Sequence, residues 1–177
     1  MDMQSIQIPM SATAGNKHIV TEYTGTNGLY SSVLPDLAAI TAIQAIATTL
    51  GIELDSSTIH CTVCYSKIAA DWREIPSYPA TREFTAICNQ VDHWVGHNNK
   101  TYVVLKLMSP DIVLMNAEIQ RSGAKHTFVP FQPHVSLSDS TTVDLELQAK
   151  IDEVNSKLAY EPLVLRFNSL TIGDQDQ

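Results

Sequence analysis

No run of this sequence is long and apolar enough to cross a membrane, which takes about 20 such residues in a helix. The opening segment, MDMQSIQIPMSATAGNKH, has no basic region followed by an apolar one, so no secretory signal is read there. Glycine-rich phosphate loops, Walker motifs and nucleophile elbows are missing too. Cations are scarce: 11 lysines and arginines stand against 19 aspartates and glutamates, for a formal charge of −8. Such a surface does not coat duplex DNA or RNA, whose affinity comes mostly from phosphate contacts. It leaves room for a small phosphate-bearing ligand held by a few donors. Cysteine is sparse as well. Three thiols cannot all pair, and their spacing is not a disulfide framework, so reduced thiols in a cytoplasmic protein are expected.

What is present suits one domain. The 177 residues are 44% apolar and 17% charged, enough apolar material for a core and too much for disorder. Stretches rich in Val, Ile, Thr, Phe and Tyr predict strands at 17–23, 57–66, 84–92, 101–108, 133–138 and 163–171. Three helices are expected. One runs from Pro35 in its first turn to a stop at Gly51, and one from the N-cap Ser109 to Gly123. The third covers roughly 143–158, with apolar spacing at Val143, Leu147, Ile151, Val154 and Leu158. The segment 74–82 reads as a loop. The expected organisation is an N-terminal extension at 1–16, one domain at 17–172 and a polar tail at 173–177.

The helices expose a faint internal repeat. His60 follows Pro35 by 25 residues and His134 follows Pro110 by 24, each on a strand that reads His-x-hydroxyl-apolar, HCTV and HVSL. Two similar lobes, each giving one histidine strand to a shared cleft, are expected. By alternation His60, Thr62 and Cys64 share one strand face and Cys61 and Val63 the other, so the C-x-x-C of Cys61 and Cys64 points apart and reads poorly as a zinc or redox site. The imidazole and the hydroxyl are the better reading. His134 and Ser136 repeat it. Two imidazoles and two hydroxyls are the parts for in-line cleavage of a phosphodiester: a base, an acid and two donors for phosphate oxygens. About one of the six histidines would match His-x-Ser/Thr by chance, so the repeat, more than the motif, carries the reading.

Other candidates are weaker. His93 and His97 have a metal spacing only if helical, and the turn residues around them argue for a hairpin. His18 and His126 show no partner pattern. Trp94 reads nearly as well as a packing residue as it does as a stacking platform, and Trp72 better as core cover. Lys67 and Lys106 are within the group that could assist a phosphate.

IHCTVCYSK after a long helix, QPHVSLS about seventy residues later and YEPLVLRF near the end together make the chain resemble the 2H phosphoesterase superfamily. The closer resemblance is to its phage anti-CBASS nucleases, over about Gly28 to Phe167. The resemblance implies an α+β fold of two pseudo-symmetric lobes of antiparallel sheet with packed helices around a central cleft. It implies metal-independent hydrolysis of 3′–5′ bonds in cyclic di- and trinucleotides, with no cofactor, in the cytoplasm of the host cell. His60 and His134 would be the acid/base pair, with Thr62 and Ser136 on the phosphate and Tyr30, Trp94 and Glu161 on the ligand. Two relatives in activity share these motifs: enzymes acting on RNA 2′,3′-cyclic phosphate ends and enzymes cleaving 2′–5′ oligoadenylates. A sponge that binds cyclic nucleotides without cutting them is the rival from another class. The expected partner is a cyclic oligonucleotide, with no membrane and no duplex nucleic acid; the oligomeric state is left open.

Overall fold

The computed structural model describes residues 28–70, 83–96 and 98–174. The expected extension, the strand at 17–23, the loop at 74–82, Trp72, His18 and His97 lie outside the described residues. Six antiparallel strands and three helices make an α+β fold, as expected. In chain order they are β1 (Leu29–Pro35), α1 (Leu37–Leu50), β2 (Cys61–Ser66), β3 (Phe84–Val95), β4 (Thr101–Met108), α2 (Pro110–Arg121), β5 (His134–Ser136), α3 (Leu145–Tyr160) and β6 (Leu163–Gly173).

The helix ends follow capping chemistry. Asp36, not Pro35, starts α1: its carboxylate accepts the Ala39 N–H at 2.8 Å, and Pro35 is the last residue of β1 instead. Gly51 ends α1 in the left-handed region, φ 74°, where its N–H meets the last carbonyls of the helix. Ser109 caps α2 and also donates to the Thr85 carbonyl at 2.7 Å, tying the helix start to β3. Asp144 caps α3. The buried positions recur at helical spacing: Ala39, Ile43 and Ala47 on α1, Ile112, Met115 and Ile119 on α2, Leu147, Ile151, Val154 and Leu158 on α3. These residues join the inward strand residues in one core, each large side chain contributing about 1.5–3 kcal/mol by leaving water. Among the described residues no helix is long and apolar enough to cross a membrane.

The strands close in the order β1-β2-β5-β4-β3-β6. That order is two copies of one unit, β6-β1-β2 and β3-β4-β5, with α1 joining β1 to β2 and α2 joining β4 to β5. The repeat seen in the sequence is therefore a pseudo-two-fold of the fold, and the two histidine strands are neighbours at its seam. β1 was not read from the sequence. Its serines look like turn residues, yet Ser31 is fully buried, and its hydroxyl has no hydrogen-bond partner among the described residues.

A bulge corrects the expected faces of β2. Ser31 pairs with Cys64 but Ser32 pairs with Thr62, leaving Val63 as an extra residue. The alternation slips there, so Cys64 turns inward with Cys61 and Tyr65 takes the outer face beside Tyr30. The Val63 carbonyl is satisfied from outside the sheet, by the Asn116 amide of α2 at 2.7 Å. Asn155 of α3 does the same for β3, bonding both the N–H and the carbonyl of Val91, at 2.7 and 2.9 Å.

Candidate active site

Helices cover one face of the strands, and the histidine motifs lie on the other. His60 precedes β2 by one residue and His134 opens β5. The two strands pair antiparallel at Cys61 and Val135, both fully buried, so their neighbours point away from the core. That single pairing sets the site. His60 stands across from Ser136, and Thr62 across from His134, so each imidazole faces the other motif's hydroxyl. Residues directly opposite have Cβ atoms about 4.5–5.5 Å apart and diagonal neighbours about 7–8 Å, and the two histidines are such a diagonal pair.

The rings are held alike. His60 Nδ1 lies 2.7 Å from the Thr58 carbonyl and His134 Nδ1 lies 2.8 Å from the Gln132 carbonyl, two residues back in both cases. A carbonyl only accepts, so each Nδ1 carries a proton and Nε2 is the atom left for a substrate: it accepts a proton on a neutral ring and donates one on a charged ring. Burial lowers the His134 pKa below the usual imidazole value; the bond to Gln132 opposes the drop and the nearby His60 adds to it. This ring rests neutral and ready to accept a proton.

On the His60 side, the Tyr30 hydroxyl is 3.2 Å from Thr62 Oγ1 and its ring meets His60 edge-on at 6.3 Å. Burial raises the Tyr30 pKa, so the phenol keeps its proton as a donor. Beyond it the Ser32 and Thr171 hydroxyls bond at 2.7 Å. On the His134 side Trp94 packs edge-on to the imidazole, with 4.7 Å between ring centroids. The structure thus brings together six of the seven residues singled out in the sequence. Glu161 is exposed at the end of α3, outside the strands that carry the other six.

Sequence reasoning missed several neighbours. His126 is buried beside Phe131 and accepts the Tyr65 N–H on Nδ1 at 3.1 Å, and burial lowers its pKa. Tyr65, brought to this face by the bulge, had no readable signal. Asp92 was not singled out, though its place two residues before Trp94 on a strand puts both on one face.

The thiols are not part of the site. Cys61, Cys64 and Cys88 are all buried and free, and burial pushes them up to about 12, 12 and 11, far from a thiolate at neutral pH. Among the described residues no three His, Cys, Asp or Glu side chains gather as metal ligands. A groove of about 760 Å³ opens beside His60 and Ser136 and runs between the end of α1 and the start of α3. Its walls carry Glu53, Asp55, Asp139, Asp144 and Glu146 against one cation, Lys150, which is paired with Glu146 at 2.8 Å.

The family model described as Anti-CBASS protein Acb1 matches residues 27–169, which include both histidine motifs. An Anti-CBASS protein Acb1 of Vibrio phage KVP40 is 27% identical over 151 residues, 84% of this chain and 95% of that protein. Among solved structures, E. coli LigT in complex with 3′-AMP shares the fold, with TM-score 0.50 and 11% identity over 82% of this chain and 86% of that one. The chain belongs to the Acb1 family of anti-CBASS proteins, built on the fold of the 2H phosphoesterases.

Proposed function

We propose that the protein is a phosphodiesterase that opens the 3′–5′ bonds of cyclic di- and trinucleotide messengers by two-histidine acid/base chemistry, and so disables CBASS immunity. The observation that carries this reading is the matched pair of Nδ1–carbonyl bonds on two histidines set diagonally across one strand pairing, which leaves both Nε2 atoms for a phosphate. His134, held neutral by burial, takes the proton from a ribose 2′-OH. The 2′-oxygen attacks the adjacent phosphorus, the bond to the 5′-oxygen breaks, and His60, entering the step as the imidazolium, gives that oxygen its Nε2 proton and is left neutral. The product end is a 2′,3′-cyclic phosphate, which water opens to a 3′-phosphate with the two roles reversed. Thr62 and Ser136 donate to the nonbridging oxygens, where charge builds in the transition state. Trp94 and Tyr30 offer ring faces and edges to the bases, and the exposed Glu161 carboxylate is free to accept from a base amino group. These groups supply base, acid and donors without a metal.

The acidic groove favours a compact ligand over RNA ends. A polyanionic strand leaving the site past Asp55, Asp139 and Asp144 would meet like charge, whereas a cyclic dinucleotide carries only two phosphates.

The test is incubation of the protein with 3′,3′-cyclic GMP–AMP in excess EDTA, with products separated by chromatography. Linear product from the wild type, and none from His60→Ala or His134→Ala, is the expected result. Intact nucleotide recovered bound to the wild type would make the protein a sponge. Nucleotide neither bound nor cut would end the messenger reading.

A further inference from the structure

Four side chains on three strands form a chain that ends at His134. Lys106 on β4 stands across from His134 in the strand register, and its ammonium lies 3.8 Å from Asp92 Oδ2 on β3. The same oxygen accepts the Trp94 indole N–H at 3.2 Å, while Asp92 Oδ1 accepts the His93 backbone N–H at 2.8 Å. Three partners from two strands thus fix the carboxylate. The indole it holds is the ring that meets His134 edge-on at 4.7 Å. A tryptophan packed only by its ring can change rotamer about two side-chain bonds; one whose N–H is also bonded to a carboxylate is held in a single orientation. Among the described residues the His134 ring has one hydrogen bond, at Nδ1 to the Gln132 carbonyl. That bond sets the tautomer but leaves the ring a pivot, which the Trp94 edge blocks.

The other half of the site lacks this device. The strand registers pair Ser32 with Thr171 in one unit and Val104 with Asp92 in the other, and Tyr30 with Gly173 against Tyr102 with Trp94. Thr171 therefore stands where Asp92 does, and a glycine stands in place of Trp94. The carboxylate and the indole are additions to one histidine only.

We propose that Asp92 is a positioning residue for His134: it locks the Trp94 indole, and the indole fixes the plane of the imidazole in the cleft. Asp92 touches neither substrate nor reacting atoms and acts through Trp94. The proposal rests on the reading of His134 as one of the two proton-transfer groups. Its leverage is geometric, since a misplacement of about 1 Å in a reacting group can cost ~10²-fold in rate.

The experiment uses Asp92→Ala, Asp92→Asn, Trp94→Phe and the double variant Asp92→Ala/Trp94→Phe. For NMR, the Asp92 variants are also made with Trp72→Phe, which leaves Trp94 as the single indole, since the chain has two tryptophans. The indole ¹H–¹⁵N resonance and the His134 ring resonances are recorded, with kcat and KM on 3′,3′-cyclic GMP–AMP. Asp92→Ala is expected to shift the indole signal and speed its exchange with water, to shift or broaden the His134 ring, and to lower kcat about tenfold or more with KM changed less than threefold. Asp92→Asn keeps an acceptor for the N–H and restores the indole signal and most of kcat. Trp94→Phe keeps a ring but loses the N–H, falls as Asp92→Ala does, and the double variant falls no further. An indole signal unmoved in Asp92→Ala, or moved with kcat intact, overturns the proposal, as does a fully additive double variant. If Asp92→Ala does not fold, Trp94→Phe breaks the same bond from its other end, and an unchanged kcat there overturns it equally. If the wild type cuts no cyclic dinucleotide, the phosphodiesterase reading fails by itself. The resonances then decide alone: Asp92→Ala must disturb both rings for the clamp to stand.

Discussion

The two halves of the cleft share a backbone and differ in chemistry. Around His60, the unit β6-β1-β2 places neutral hydroxyls: Tyr30 on Thr62, and Ser32 on Thr171. Around His134, the unit β3-β4-β5 places a carboxylate, an ammonium and an indole. The histidines themselves are treated alike, each tied at Nδ1 to the carbonyl two residues back. A duplicated unit has kept the part that sets the tautomer and varied the part that sets the environment. On the proposed mechanism, the variation would give the halves different jobs. A buried ring with a lowered pKa suits the base, and the more open, hydroxyl-flanked ring suits the acid.

The largest effects fall on the histidines. His60→Ala and His134→Ala are each expected to cost about 10²–10⁴-fold in kcat, and the double variant little more, because the two act as one unit. Steady-state kinetics on the three variants checks this, and full additivity would break the pairing. Next come the hydroxyls. Removing one donor from the phosphate is expected to cost about 10²–10³-fold in kcat, seen as Thr62→Val or Ser136→Ala. Tyr30→Phe sharpens the contrast: Thr62 keeps its hydroxyl but loses the phenol 3.2 Å away, and a loss of roughly tenfold or less is expected, of the size of one hydrogen bond.

The smallest effect is on stability against pH, and it belongs to the His134 half. The folded pKa of both His134 and His126 is below the ordinary 6.5. As pH falls through 6.5 the unfolded chain takes up protons that the folded chain refuses, so stability declines until the folded rings are protonated too. Thermal unfolding between pH 7.5 and 5 should show a falling Tm, and His126→Gln should flatten the fall if the folded protein tolerates the change. A Tm constant across that window would remove the buried, neutral state from both rings.

The parts of this contrast legible in the sequence were those with short period. Helix starts and stops, the two His-x-hydroxyl motifs and their nearly equal distance from Pro-Asp helix openings are local signals, and they gave the lobes and the four motif residues, while Tyr30 and Trp94 came from the family resemblance. What escaped depends on pairing between distant segments. β1 hid because two of its residues, Ser31 and Ser32, are polar yet buried, which no local apolar pattern announces. The bulge at Val63 is a property of the β1–β2 ladder, so alternation along β2 alone placed Cys64 on the wrong face and overlooked Tyr65. Asp92 and Lys106 became meaningful only once β3 and β4 were set beside His134.

The division of labour between the halves has one direct measurement: cleavage of a nucleoside 3′-(4-nitrophenyl phosphate), which keeps the 2′-OH but whose leaving group needs no proton. His60→Ala should recover most of the wild-type rate on this substrate, because the acid is no longer required, while His134→Ala stays inactive. Recovery in His134→Ala instead, or in neither variant, would contradict the assignment of base and acid to the two halves.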